Sequence, residues 1–253
     1  DFVHINSTND TTASFTVGNA SGVQAWGGAA QDGKVLYNAT LTAIDKEETK
    51  RYAGLKNINF NDDLINKACL EAQLLAQPKG SWEIYNYDAM NGCILTPAPF
   101  LINSSKVLKL FCYAEKVAVM TVTIGEEIEN TITAEFKKGN YAFSLLLDAA
   151  ATTAVEMLAD NINNLIKITA NKLGYNTTYR FSPGYGDWDI IVQPEILKLA
   201  RANLINVTAT NSCMLLPRKS VTAVIGFIPE KNTVAQASCT DCNQKNCLAR
   251  KGS

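Results

Sequence analysis

Leu147, Ala151, Ala154, Leu158, Ile162, Leu165 and Thr169 recur in steps of four, three, four, four, three and four. That spacing is one stripe of an α-helix and predicts a helix from Phe143 to about Lys172. Alanines crowd this stretch and let another element approach closely. A helix of this length needs partners, and the flanking sequence supplies strands. Trp82 to Tyr87 and Cys93 to Ile102 read as strands joined by a turn at Asn91-Gly92. Lys116 to Ile124 is a β-branched run of the buried kind, and Val221 to Ile228 and Ile205 to Thr210 are predicted strands. Strands and helices mix without a regular βαβ repeat. The expected class is α+β, a curved antiparallel sheet with flanking helices.

The remaining helices carry their own start signals. Asp45 to Tyr52 is a short charged helix. Asn61 or Asp62 caps a second one, which Pro78 stops near Gln77. In that second helix Leu64, Ile65, Ala68, Cys69, Ala72 and Leu75 share a face, so Cys69 reads as a small buried hydrophobe. Gly125-Glu126-Glu127 opens another helix, with acids where the dipole favours them. Gln193-Pro194-Glu195 begins a helix expected to reach Leu204. The expected organisation is an arm or added segment over 1–34, a domain over 35–230, and a cysteine-containing tail over 231–253.

Composition narrows the function classes. With 253 residues and 47% apolar content, a substantial core is available. Lys plus Arg number 23 against 24 acidic residues, with no long run of either sign, so no nucleic-acid partner is expected. No stretch reaches 18 consecutive apolar residues, and the first 30 lack a basic start followed by an apolar core; neither a membrane span nor a signal peptide is expected. Asn-x-Ser/Thr sequons occur at Asn6, Asn9, Asn19, Asn38, Asn103, Asn176 and Asn206, a modest excess in an Asn-rich chain. The cysteine number, seven, is odd and fits a reducing compartment better than a disulfide framework. The cytoplasm is the expected location. His4 is the single histidine, which excludes His-based triads and His-rich metal sites.

One stretch stands apart. Tyr179-Arg180-Phe181-Ser182-Pro183-Gly184-Tyr185-Gly186-Asp187-Trp188 concentrates a guanidinium, a proline, two glycines and aromatic rings. Pro183 fixes one dihedral, while Gly184 and Gly186 admit positive φ and bring a ligand close to the main chain. Arg180 offers a planar fork of donors to a carboxylate, and Tyr185 a ring face and a hydroxyl. Such a bend suits a small polar ligand bearing a carboxylate and a flat ring. It is not the common methyltransferase turn, because Gly184-Tyr185-Gly186 follows the polar Asn176-Thr177-Thr178-Tyr179 and not an apolar strand. The tail's Cys239, Cys242 and Cys247 form a second cluster. They read as ligands for a metal or iron–sulfur cluster, with Cys213 a candidate fourth, or else as a redox-labile tail.

Arg180-x-Ser182-Pro183-Gly184-Tyr185 resembles the Arg-x-Ala/Ser-Pro-Gly-Tyr signature of the activation domain of cobalamin-dependent methionine synthase. Thr210-Asn211-Ser212 with Pro217, Ser220 and Val221 is similar to the family's Thr-Glu-Ser…Pro…Ser-Val segment. The alanine-rich run from Leu147 to Asp160 resembles the helix before the signature. The likeness covers roughly Ile44 to Phe227 and fits best the short, free-standing form of the domain. It implies S-adenosylmethionine as cofactor, its carboxylate held by Arg180, with main chain around Ser182 and Gly184 at the adenine or ribose. It places Tyr185 between the two reactants and puts Glu156, otherwise a residue of a solvated face, near the ligand.

The reaction implied is reductive reactivation of a corrinoid enzyme. A cobalt in the Co(II) state is reduced by one electron from a donor and methylated by S-adenosylmethionine, so that an unfavourable reduction is drawn forward. The chain lacks the Asp-x-His-x-x-Gly loop that ligates cobalt, so cobalamin would belong to a partner. Activity is expected only in complex with that corrinoid protein. Two other readings stay open: a metal- or cluster-bearing redox accessory protein built on the tail cysteines, and a secreted interaction protein supported by the sequons.

Overall fold

The computed structural model describes Thr16–Gly18, Gln24–Trp26, Val35–Tyr37 and residues 41–230. Expectations for His4, the tail cysteines and most of 1–34 fall outside the described residues. Within 1–34, strands β1 (Thr16–Gly18) and β2 (Gln24–Trp26) pair antiparallel.

From β3 (Val35–Tyr37) the order is α1 (Lys46–Tyr52), α2 (Asp62–Leu75), β4 (Lys79–Asp88), β5 (Cys93–Leu95), β6 (Phe100–Leu101), α3 (Ser105–Leu110), β7 (Lys116–Thr123), α4 (Glu127–Lys137), α5 (Tyr141–Lys172) and β8 (Tyr175–Thr177). Then follow α6 (Gln193–Leu199), β9 (Thr208–Ala209), β10 (Leu215–Leu216) and β11 (Ser220–Pro229). The main sheet runs β6-β5-β4-β7-β11-β8, with β3 pairing β4. Gln77 N bonds Ile124 O while Tyr87 N bonds Glu115 O, and Ile124 N bonds Lys219 O while Glu115 N bonds Phe227 O. Both neighbours of β7 are therefore antiparallel to it. The class is the expected α+β.

The described residues group into two compact units: those of Asp1–Gly80, Val122–Asp160 and Leu215–Val221, and those of Ser81–Thr121, Asn161–Met214 and Thr222–Ser253. In the first, Asp45 caps α1 through Glu47 N and Glu48 N, and Asn61 caps α2 through Leu64 N. Ile65, Ala68, Cys69 and Ala72 are buried on one face of α2, as its spacing demands. On α5, Leu147, Ala151, Ala154 and Leu158 are wholly buried. Nearby, Glu129 accepts from Arg218 Nε at 3.0 Å and Lys219 N at 2.8 Å, and Lys219 Nζ reaches Asp148 Oδ1 at 2.8 Å.

In the second unit one apolar cluster joins Tyr87, Ile94, Val107, Phe111, Val117, Val119, Trp188, Ile196 and Val224. Tyr87 and Phe111 meet edge to face at 5.7 Å. The Tyr87 hydroxyl is buried with no hydrogen-bond partner. Burial first, then the nearby Asp88, Cys93 and Cys112, pushes it up to about 12 from an ordinary value near 10. The neutral phenol is thus favoured in the folded state; its contribution is complete below pH 10 and is lost as pH rises through 12. Tyr87→Phe is expected to cost little at pH 7, because it removes an unsatisfied hydroxyl, and to flatten the loss of stability between pH 10 and 12. Urea midpoints at pH 8 and 11.5 check this; equal alkaline losses in both proteins would contradict it.

Several sequence expectations are corrected. The strand expected over Cys93 to Ile102 is broken into β5 and β6, since Pro97 and Pro99 cannot donate to a ladder. The helix from Gln193 ends at Leu199, where Arg201 turns left-handed with φ 56° and its Nε sits 2.6 Å from Glu83 Oε2. Ile205 closes a 3-10 turn, so the strand expected from there shrinks to β9. Beyond Ile162 the buried line on α5 is Ile166 and Ala170; Leu165 and Thr169 are only half-buried. The expected stripe repeats slightly more slowly than the 3.6-residue turn and drifts off the covered face. By length and composition α5 could cross a membrane, but 67% of its most apolar window is buried inside the protein, as in a core helix.

Candidate ligand-binding turn

β8 runs antiparallel to β11 with Thr177 opposite Phe227. One residue on, Thr178 N donates to Gly226 O at 2.9 Å and Gly226 N donates to Thr178 Oγ1 at 2.9 Å. Pairing resumes at Phe181, which exchanges both backbone bonds with Val224 at 3.0 and 2.8 Å. Tyr179 and Arg180 therefore stand opposite the single residue Ile225. That two-against-one arrangement is a β-bulge, a device that bends a strand and re-aims a side chain. Arg180 is the second residue of that bulge.

After the bulge the chain folds over itself. Tyr185 N bonds Ser182 O at 3.3 Å, and Gly184, third residue of that turn, has φ 87°. Proline second and a positive-φ glycine third is the chemistry of a type II turn. Trp188 N bonds Tyr185 O at 3.0 Å, with Gly186 at φ 63° between them, and Gly184 N bonds Trp188 O at 2.8 Å. The stretch 182–188 is thus two linked turns closed by their own main chain. Pro183 and Trp188 are buried while Gly184, Tyr185 and Gly186 are exposed, Tyr185 at 49%. Trp188 packs against Phe181 at 6.2 Å between centroids and belongs to the core cluster.

Asp187 ties the turn to another part of the unit. It accepts from Ser104 Oγ at 2.6 Å, Ser105 Oγ at 2.5 Å and Ser105 N at 2.8 Å. The Ser104 and Ser105 hydroxyls, with the backbone N–H groups of Ser105 and Lys106, hold its carboxyl well below the usual carboxylate range.

Of the residues singled out in the sequence, Arg180, Ser182, Gly184 and Tyr185 come together in this turn, with Arg180 and Ser182 half-buried. Glu156 lies in the first unit, half-buried on α5. Its charge, after burial, helps raise the Tyr52 hydroxyl, and Arg51 lies over the Tyr52 ring at 4.1 Å. Thr210-Asn211-Ser212 forms a turn of its own, Thr210 Oγ1 accepting from Met214 N at 3.1 Å. Cys213 is left-handed with φ 61°. Among the described residues no group of three or more His, Cys, Asp or Glu, Cys213 included, is placed to hold a metal; Cys239, Cys242 and Cys247 lie outside them.

The sequence placed Asp187 in this stretch but gave it no role, and nothing there joined α3 to the turn. Ser104 as a helix cap is visible locally, but its partner lies 83 residues away, and nothing in the spacing joins the two.

By sequence, no known protein family matches the chain, and no curated protein matches it. Among solved structures it is similar to the MetH reactivation domain bound to AdoHcy, at 16% identity and a TM-score of 0.49, over 70% of this chain. The chain spans 66% of that chain's length.

Proposed function

We propose that this chain binds S-adenosylmethionine on the Arg180–Tyr185 turn and serves the reductive reactivation of a corrinoid methyltransferase, namely a methionine synthase. The observation that carries this reading is the exposed Gly184-Tyr185-Gly186 tip on a base pinned by Pro183, Trp188 and the Phe181–Val224 bridge. A bend serving only its own core would turn its aromatic ring inward. Here the buried ring is Trp188, and Tyr185 faces out. The resemblance of residues 180–185 to the activation-domain signature supplies the ligand's identity.

The chemistry of the donor set fits that ligand. Arg180 matches a carboxylate with a bidentate fork, and the glycine backbone admits a flat ring close to the main chain. Bound there, S-adenosylmethionine supplies the methyl group that the partner's corrinoid accepts once reduced by an electron donor. This chain's residues bind and orient: Arg180 holds the carboxylate, Ser182 and Gly184 meet the nucleoside, and Tyr185 takes the position nearest the partner's corrinoid. Glu156 enters through the resemblance alone. Cobalamin is the partner's cargo, and a reducing, cytoplasmic setting suits the chemistry.

Calorimetry tests the reading. Arg180→Ala should weaken S-adenosylmethionine binding by about 10- to 100-fold, the worth of a charge-assisted pair, and Arg180→Lys should fall between, since an ammonium cannot grip both oxygens. No heat from the unaltered protein at millimolar ligand would overturn the assignment. Mixing the protein with a Co(II) corrinoid enzyme, a reductant and S-adenosylmethionine should bring up the methylcobalamin spectrum.

A further inference from the structure

The tip of the turn carries two residues of wide backbone freedom. Gly184 and Gly186 both sit at positive φ, where glycine has access to many alternatives. The bonds that close the tip all run within residues 182–188. They fix its outline without fixing its direction relative to the sheet. Asp187 reaches from the tip to another element. Both its oxygens are engaged: Oδ1 by Ser104 Oγ at 2.6 Å, Oδ2 by Ser105 Oγ at 2.5 Å and Ser105 N at 2.8 Å, with Lys106 N at 3.4 Å from each.

These donors are the start of α3. Ser104 Oγ, while donating to Asp187, accepts from Val107 N at 3.2 Å as the helix cap. The polarisation runs one way, from helix amide to hydroxyl to carboxylate, so each bond strengthens the next. The same contact brings α3 against the tip backbone: a Cβ placed on Gly186 would lie 2.8 Å from Lys106 Cδ.

We infer that Asp187 is the positioning residue of this turn, clasping the first residues of α3 and thereby setting the pose in which Gly184, Tyr185 and Gly186 are presented. The clasp stands on these contacts alone; its consequence for affinity rests on the proposed S-adenosylmethionine reading. A residue that only added stability would act on the whole fold. A clasp acts on the tip.

Amide hydrogen exchange on the full chain without ligand separates the two. Asp187→Asn and Asp187→Ala should speed exchange at Gly184 and Trp188 by about tenfold or more, the scale of a lost charge-assisted bond. Val117 and Val119 in β7 should stay unchanged. Ser105→Ala, which keeps the backbone donor, should give a smaller rise of the same local kind and serves if the Asp187 variants fold poorly. S-adenosylmethionine affinity should fall in the same order. Unchanged exchange at the tip, or a rise equal to that in β7, would overturn the clasp. Local loosening in a protein whose unaltered form binds no S-adenosylmethionine would uphold the clasp and remove the ligand reading instead.

Discussion

Trp188→Ala is expected to lower stability by about 3–5 kcal/mol, the range for emptying a buried large aromatic site, and to abolish ligand binding with it. The ring is 1% exposed and sits in the cluster with Tyr87, Phe111, Ile196 and Val224. It is also the covalent end of the turn, its carbonyl holding Gly184 N at 2.8 Å and its amide bound to Tyr185 O at 3.0 Å. Losing the ring frees the peptide that closes the tip.

The indole Nε1 is buried with no hydrogen-bond partner, so Trp188 carries an unsatisfied donor to fill this space. Trp188→Phe sheds that donor while giving up some volume and is expected to cost only about 1–2 kcal/mol. Tyr185→Ala, at an exposed ring, should leave stability within about 0.5 kcal/mol. Urea titrations of the three variants give the ranking. A Trp188→Ala loss below that of Trp188→Phe would mean that the core does not anchor the turn.

What was legible in the sequence was whatever its own neighbours decide. The short charged helix starting at Asp45, a cap at Asn61 or Asp62 and the buried face of α2 follow from side chains within a turn or two of one another. So does the bend itself, since Pro183 and Gly184 need no distant partner. The illegible parts were set from afar. Arg201 ends its helix left-handed without being a glycine, beside Glu83 on β4. The bulge at Tyr179 and Arg180 exists because β11 offers one residue where β8's continuation has two, a register invisible to periodicity. The Asp187 clasp depends on serines far away in the chain. The motif was therefore readable as a shape, while what aims it was not.

The bulge sits beside a closely packed glycine of β11, and Gly226→Ala is expected to cost about 2–3 kcal/mol through overpacking. A Cβ on Gly226 would lie 2.8 Å from Phe111 Cδ1, 3.0 Å from its Cε1 and 3.2 Å from Thr178 Cγ2. Phe111 is fully buried, so its ring cannot swing aside as an exposed side chain would. Thr178 is the last residue paired before the bulge, exchanging bonds with Gly226 through its amide and hydroxyl. Pushing it away shifts the seat from which Arg180 departs. S-adenosylmethionine affinity should therefore fall in Gly226→Ala even at temperatures where the protein stays folded. Phe111→Leu, which trims the obstructing ring, should partly relieve the substitution, leaving the double variant less destabilised than the sum of the two single changes. Simple additivity in urea titration would show that the clash with Phe111 is not what excludes a side chain at this position.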